Sequence, residues 1–374
     1  MKSAVSIVKC RDYQEEAVLI GLRRSLDFIG GIGKFIEKGN GVLLKPNLLF
    51  GKAPEKAVTT HPAIVKGVIQ LVREAGGIPS IGDSPSIGGL MWTAEKTGIK
   101  KVAEEMNCPL LEFNRPILHD KGEGRFFKKI EIDQSVLEAD VVINLPKWKT
   151  HGMTLLTLGV KNLFGCIPGP RKPLWHLKVG EDRIAFAQML LDLYRIIQPR
   201  LTILDGILAM EGNGPNSGHP VPLGLILESH DALNLDQIVC DILGIPRKSV
   251  PTNQVAIEQE FDKDDIEIVG ETIKEVRVKG FKLPPSSGIS WGLPKFFQNS
   301  LKNALTSKPH LSKEICKACN LCVEICPPKA LERKDELLSI DDRKCIRCFC
   351  CQEVCPEGAI TVKPGWASKF ISKR

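Results

Sequence analysis

The sequence predicts an α/β body with a mostly parallel, doubly wound sheet, followed by a small α+β module of the ferredoxin kind at the C-terminus. Three observations carry this. Short, continuous apolar runs such as Val42-Leu43-Leu44 and Val141-Val142-Ile143 recur along the first three quarters of the chain, as strands buried on both faces require. Between them lie segments whose apolar residues keep helical spacing, the alternation that builds a parallel sheet with right-handed crossovers. Near the end, one cysteine pattern occurs twice, displaced by 29 residues at every cysteine of the motif.

In chain order, Gly41–Pro46 reads as a buried strand stopped by its proline. Thr60 or His61 caps the next helix, Pro62 occupies its first turn, and Ile64, Val65, Val68, Ile69 and Val72 form its apolar face. Gly76-Gly77 ends it, and residues 78–82 make a short strand. Residues 140–146 and 201–206 are further strands, with a helix from about 182 to 197 between them and another from about 233 to 243 after them. Gly30-Gly31-Ile32-Gly33 follows a helical pattern and lacks the spacing of a dinucleotide fingerprint. Leu283-Pro284-Pro285 opens a linker. The expected divisions are a body over 1–285, a linker with an amphipathic helix over 286–310, the module over 311–364 and a basic tail over 365–374. The linker helix rests on Lys295, Phe296, Phe297, Leu301, Lys302, Leu305 and Lys308. The tail carries Trp366, Lys369, Phe370, Lys373 and Arg374.

The 374 residues are 43% hydrophobic and 25% charged, ordinary for a folded chain that buries its own core. A net charge of +7 and an aromatic content of 6% are too weak a bias to argue for nucleic acid. No apolar run reaches the length of a membrane span, and the N-terminus lacks the pattern of a secretory signal. A cytoplasmic protein with reduced thiols is expected.

The cysteines carry the strongest signal. Cys316-x2-Cys319-x2-Cys322-x3-Cys326-Pro is followed by Cys345-x2-Cys348-x2-Cys351-x3-Cys355-Pro. Soft thiolates suit iron–sulfur clusters or zinc, but zinc sites more often use two separated pairs. The triple lets one loop wrap three corners of a cube. The segment resembles a bacterial-type two-cluster ferredoxin domain, in which the fourth cysteine of each motif ligates the other cluster. That resemblance implies two [4Fe–4S] clusters. Cluster I would be held by Cys316, Cys319, Cys322 and Cys355, and cluster II by Cys345, Cys348, Cys351 and Cys326. Cys350 stands outside the pattern and reads as a non-ligand thiol beside cluster II. Residues 312–363 hold nine Lys/Arg and nine Asp/Glu. Eight thiolates and two oxidised cubes would bring the loaded module to about −4, suited to a redox partner protein with a basic surface. Cys10, Cys108 and Cys240 read as small core residues. Cys166 lies beside a basic segment, where a reactive or ligating role competes with a core one.

Ligands of parallel sheets bind beyond the carboxyl ends of the strands, so the polar residues there are the candidates for a site. They are Lys45 and Asn47; His61; Asp83; Lys147, Lys149 and His151; Lys161 and Asn162; Asp205; and Glu211 and Asn213. The segments Leu44-Lys45-Pro46-Asn47, Thr60-His61-Pro62, Gly82-Asp83-Ser84-Pro85, Leu145-Pro146-Lys147, Lys149-Thr150-His151, Gly159-Val160-Lys161-Asn162-Leu163-Phe164-Gly165 and Glu211-Gly212-Asn213-Gly214-Pro215 together resemble domain-of-unknown-function family 362. That family implies an iron–sulfur protein without an assigned reaction.

Read chemically, His151, Lys147 and Asp205 are the candidate catalytic residues. Lys45, Asn47, His61, Asp83, Lys149, Lys161, Asn162, Glu211 and Asn213 are the candidates for binding a small anionic substrate. The competing readings are plain: lysines after a strand often form a solvated face, Asp83 serves equally as a turn cap, and His61 as a helix cap. The expected function is a redox enzyme whose clusters relay electrons to a substrate or partner at the body. The alternatives are a non-catalytic carrier or docking subunit, and a factor that handles clusters or metal. The sequence leaves the oligomeric state open.

Overall fold

A computed structural model of the chain describes residues 3–169, 171–259, 266–284, 306–334 and 337–365. The strands described in the body are β1 (Ser3–Lys9), β2 (Gly41–Pro46), β3 (Ile78–Asp83), β4 (Leu110–Glu112), β5 (Pro116–His119), β6 (Ile130–Asp133), β7 (Val141–Leu145), β8 (Lys147–His151), β9 (Leu155–Thr157), β10 (Leu201–Glu211), β11 (His219–Ser229) and β12 (Ile266–Gly270). The main sheet has the order β12-β1-β11-β10-β7-β2-β3-β4, with β8 pairing β10 and β9. From β4 across to β10 every neighbouring pair is parallel. β11 runs against both its neighbours. β5 and β6 form a separate hairpin.

The expected burial on both faces is visible residue by residue. Val42 and Leu44 of β2 enter one core with the helices Glu15–Phe28 and Pro62–Glu74. Leu43, between them, enters the opposite core with the helix Arg183–Ile197. β7 repeats this, with Ile143 on the first side and Val142 on the second. Pro62 does begin its helix, and His61 Nδ1 accepts a hydrogen bond from Ala63 N at 3.1 Å, so the capping reading of His61 holds.

The chain moves from β2 outward through β3 to β4, then returns to the other side of β2 for β7 and β10. The winding direction therefore reverses between β2 and β7, and a crevice opens there beyond the strand ends. The basic segment after β7 is not a loop. Beyond Pro146, Lys147–His151 continue as β8, paired with β10 at Asp205↔Lys147 and, after a register shift, at Met210↔Lys149. All five of its residues are buried.

The module contains β13 (Lys308–Leu311), β14 (Leu331–Lys334), β15 (Leu337–Ile340) and β16 (Ile360–Lys363), with short helices at Leu321–Glu324 and Cys350–Glu353. A shift of 29 residues carries each first-half element onto its second-half counterpart. β13 pairs β16 and β14 pairs β15, so each half completes the other's sheet about a pseudo-two-fold axis. β13 takes in Lys308–His310, which the sequence assigned to the linker. The remaining residues of the predicted linker helix, and Trp366, Lys369, Phe370, Lys373 and Arg374, lie outside the described residues.

Candidate functional site

Lys45 ends β2 on the same face as Leu43, and Asp83 ends the adjacent β3. Lys45 Nζ lies 2.9 Å from Asp83 Oδ1, and both side chains are buried. Gly165 packs against this pair so tightly that a Cβ there would collide with both partners. A buried amide chain extends from it. Asn162 donates to Asn144 Oδ1 at 2.8 Å and accepts from Asn47 at 2.8 Å, while Asn47 Oδ1 accepts from Lys149 Nζ at 2.8 Å. The helix presenting Lys161 and Asn162 is fixed at its start by Asp236, which accepts from Gly159 N and Val160 N at 2.7 and 3.1 Å.

These residues line a pocket of about 690 Å³, open mouth included. Seven of the sequence candidates meet there: Lys45, Asn47, Asp83, Lys149, His151, Lys161 and Asn162. Two residues that the sequence did not nominate join them, Lys172 and His176 of the helix Arg171–Val179. The opposite wall comes from the module, through Ile325, Cys350, Glu353 and Val354. Ile325 and Val354 are equivalent positions of the repeat. Each immediately precedes a fourth cysteine, and that equivalence was the available signal that both halves face one target.

The module is seated firmly. Phe349 and Val362 belong to the body's own core. Gln352 donates to Asn213 Oδ1 and Gly214 O, and Asn216 to Cys355 O. A Cβ on Gly152 would come within 2.6 Å of Gln352 Oε1, so a larger residue there would have to displace the Gln352 side chain.

His151 joins the two units. Its Nδ1 accepts from Met153 N and Thr154 N at 3.0 and 3.3 Å, which leaves Nε2 to carry the proton of the neutral ring. Nε2 lies 2.8 Å from Glu353 Oε1. Burial lowers the His151 pKa. Burial pushes the Glu353 carboxyl up, but His151 and the nearby Lys161 and His176 outweigh it and hold it at about 2. Burial lowers Lys149 strongly, Lys161 as well, and Lys172 to about 8. Burial takes His176 down to about 4.

The remaining candidates do not reach this pocket. Lys147 and Asp205, expected to act with His151, form a fully buried ion pair at 2.8 Å in a cluster of their own. Tyr13 OH donates to Asp205 Oδ1 and accepts from Lys147 Nζ, at 2.7 and 2.8 Å. His61 stacks on Tyr13 at 3.5 Å and donates its backbone N–H to Asp205. Lys147 and Lys149 share a strand face but stand ~7 Å apart along it, enough to give them different partners. Glu211 accepts from Lys282 N, and Asn213 serves the module interface. Cys166 is fully buried, with its thiol pushed up to about 12 by burial; Gly165 lines the pocket and Cys166 does not. Cys350 does line it.

In the module, Cys316, Cys319, Cys322 and Cys355 line one pocket. Cys326 lies within electrostatic reach of Cys345, Cys348 and Cys351. Backbone N–H groups point at sulfur: Ala318 to Cys316, Ala330 to Cys326 and Ala359 to Cys355, at 3.2–3.4 Å. Ala318, Asn320 and Lys329 have positive φ, and so do their repeat equivalents Arg347, Phe349 and Gly358. Loops that bend twice around inward thiols, with N–H donors aimed at sulfur, suit iron–sulfur clusters.

Family models match both parts of the chain. The domain of unknown function DUF362 matches residues 42–241, more than half of the chain. The chain belongs to the DUF362 family. A 4Fe-4S dicluster domain matches residues 315–359, which makes this DUF362 member an iron–sulfur protein with an electron-transfer role. It is 38% identical over 313 residues to a thylakoid-associated protein of Synechocystis sp., spanning 81% of this chain and 95% of that relative. The lactate racemase apoprotein of Thermoanaerobacterium thermosaccharolyticum aligns with a TM-score of 0.39 at 16% identity, over 63% of this chain and 56% of that one. A Thermotoga maritima protein aligns with a TM-score of 0.36 at 13% identity, over 59% and 56%. The DUF362 chain thus spans little more than half the length of either solved structure. Among its described residues no helix is long and apolar enough to cross a membrane.

Proposed function

We propose that this protein is a ferredoxin-linked oxidoreductase acting on a small anion bound between body and module. One observation carries the reading: a single pocket is walled by buried lysines of the body and by Cys350 and Glu353, neighbours of the cluster cysteine Cys351. When bound, two [4Fe–4S] clusters supply single electrons. Cys316, Cys319, Cys322 and Cys355 hold the first, and Cys345, Cys348, Cys351 and Cys326 the second. Cys319 is exposed, whereas Cys348 and Cys351 are buried. The surface around Cys319 therefore receives a partner protein, and that around Cys351 faces the substrate. Lys161 and Lys172 attract the anion. His151 Nε2 lies 2.8 Å from Glu353 Oε1 and supplies a proton-bearing atom at the pocket wall. Lys147 and Asp205 brace the strand that presents Lys149 and His151.

The test uses anaerobic, iron-loaded full-length protein. About eight irons per chain are expected. Electrons from reduced viologen should reach an added organic anion, and Lys161→Ala should stop this with iron content and the EPR signal unchanged. Equal turnover in Lys161→Ala would overturn the reading. A cytoplasmic location is proposed with it, and cell fractionation decides between that and the thylakoid association named for the Synechocystis relative.

A further inference from the structure

The lysines of the pocket are not equivalent, and the hydrogen bonds each already makes define what the pocket lacks. An ammonium has three N–H donors. Lys45 commits all three, to Asp83, Pro46 O and Asn162 Oδ1. Lys149 commits two, to Asn47 Oδ1 and Val58 O, and Lys172 commits one, to Ser84 O. Lys161 has no hydrogen-bond partner among the described residues; its Nζ lies over the rings of Phe164 and Phe186, at 4.8 and 5.8 Å.

The charges are equally lopsided. Four ammonium groups share the pocket with two carboxylates, Asp83 and Glu353. His151 accepts backbone N–H groups at Nδ1, and neither histidine adds negative charge to the lining. Among the lining side chains, two lysines have no carboxylate to match them. A further polar atom waits as well: His176 is buried, lines the pocket, and its Nδ1 has no partner among the described residues. Lys149 and His176 are buried, and groups shielded from water interact more strongly with an incoming opposite charge than exposed ones. Apolar surface is supplied by Leu49 of the body and by Ile325 and Val354 of the module.

We propose that the ligand of this pocket is a doubly charged oxyanion, a dicarboxylate or a phosphate monoester, carried on a small apolar body. The two charges answer the unmatched pair of ammonium groups, and the oxygens take the N–H donors left on Lys149, Lys161 and Lys172. This names the substrate class for the function proposed above and rests on that reading for its chemistry, though the binding can be measured separately.

The experiment is titration calorimetry on the anaerobic, iron-loaded full chain at fixed ionic strength. The probes are succinate, butyrate, glycerol phosphate and inorganic phosphate. A dianion should bind at least about thirtyfold more tightly than butyrate, and Lys161→Ala or Lys172→Ala should each remove about thirtyfold or more of that affinity. Lys178→Ala, on the outer side of the same helix, should leave it unchanged. Iron content and circular dichroism show that each variant is folded, and Lys161→Arg should retain most of the binding. Succinate and glycerol phosphate separate the carboxylate from the phosphate form, while inorganic phosphate alone reports the headgroup without the apolar body. Equal affinity for butyrate and succinate, no binding of any dianion, or insensitivity to both alanine variants overturns the proposal. If dianions bind as expected and none exchanges electrons, the oxidoreductase reading fails and the ligand class stands.

Discussion

Replacing Asp205 with Asn turns the buried Lys147 cluster into a measurable titration. The carboxylate accepts from Tyr13 OH, Lys147 Nζ and His61 N at 2.7, 2.8 and 2.9 Å. An amide offers one oxygen to three donors and no charge. Lys147, with no exposed surface, then has no counter-ion, and its cheapest escape is to lose its proton. A lysine in water ionises near 10.4, so neutralising it at pH 7 costs about 5 kcal/mol, inside the range for breaking a buried pair. Unlike a plain loss of hydrogen bonds, this cost depends on pH. In the variant the folded state binds fewer protons than the unfolded state, so stability rises with pH by about 1.4 kcal/mol per unit. The destabilisation should shrink to about 2 kcal/mol at pH 9. Urea unfolding of the anaerobic holoprotein, followed by tryptophan fluorescence at pH 7, 8 and 9, reads it directly. Asp205→Asn with Lys147→Met should recover most of the loss. A pH-independent deficit, or one below about 1 kcal/mol at pH 7, refutes the buried-pair account.

Acid should act through His61 and His176, both held down to about 4 by burial. Their folded values lie below the unfolded ~6.5, so the stability they contribute is complete above 6.5 and is lost as pH falls towards 4. For His176 the loss approaches roughly 3 kcal/mol, and His176→Phe should flatten that part of the profile; an unchanged slope contradicts it. Cys326→Ala should give the same reduced-state EPR change as Cys348→Ala, and Cys355→Ala the same as Cys322→Ala. Pairing by sequence motif instead would refute the crossed ligation. Gln352→Ala removes buried hydrogen bonds to Asn213 and Gly214 and should cost about 1–3 kcal/mol, with faster amide exchange in residues 349–354. Unchanged exchange there would remove Gln352 from the interface.

The parallel core was legible because each strand writes its two-sided burial as an unbroken apolar run, as Val42-Leu43-Leu44 does. The cysteine loops were legible because ligand spacing is local. β11 was missed: its first half carries two prolines, and of its two antiparallel partners only β10 is close in sequence, while β1 lies more than 200 residues away. Pairing at that distance leaves no trace in either segment alone. The charged residues of β8 concealed a buried strand, since the partners that make their burial tolerable, Asp205, Asn47 and Glu353, come from three distant segments. The same distance explains why His151, Lys147 and Asp205 were grouped by type although the fold separates them. Lys172 and His176 carried no signal, because nothing around them marks their helix as the pocket's edge.

Phe349 and Val362 complete the body's interior, and Glu353 closes the chamber against its lysines. A polypeptide made under iron starvation would thus forfeit more than its wiring. Without metal to order the cysteine loops, the chamber should lose a wall, and with it the binding proposed there.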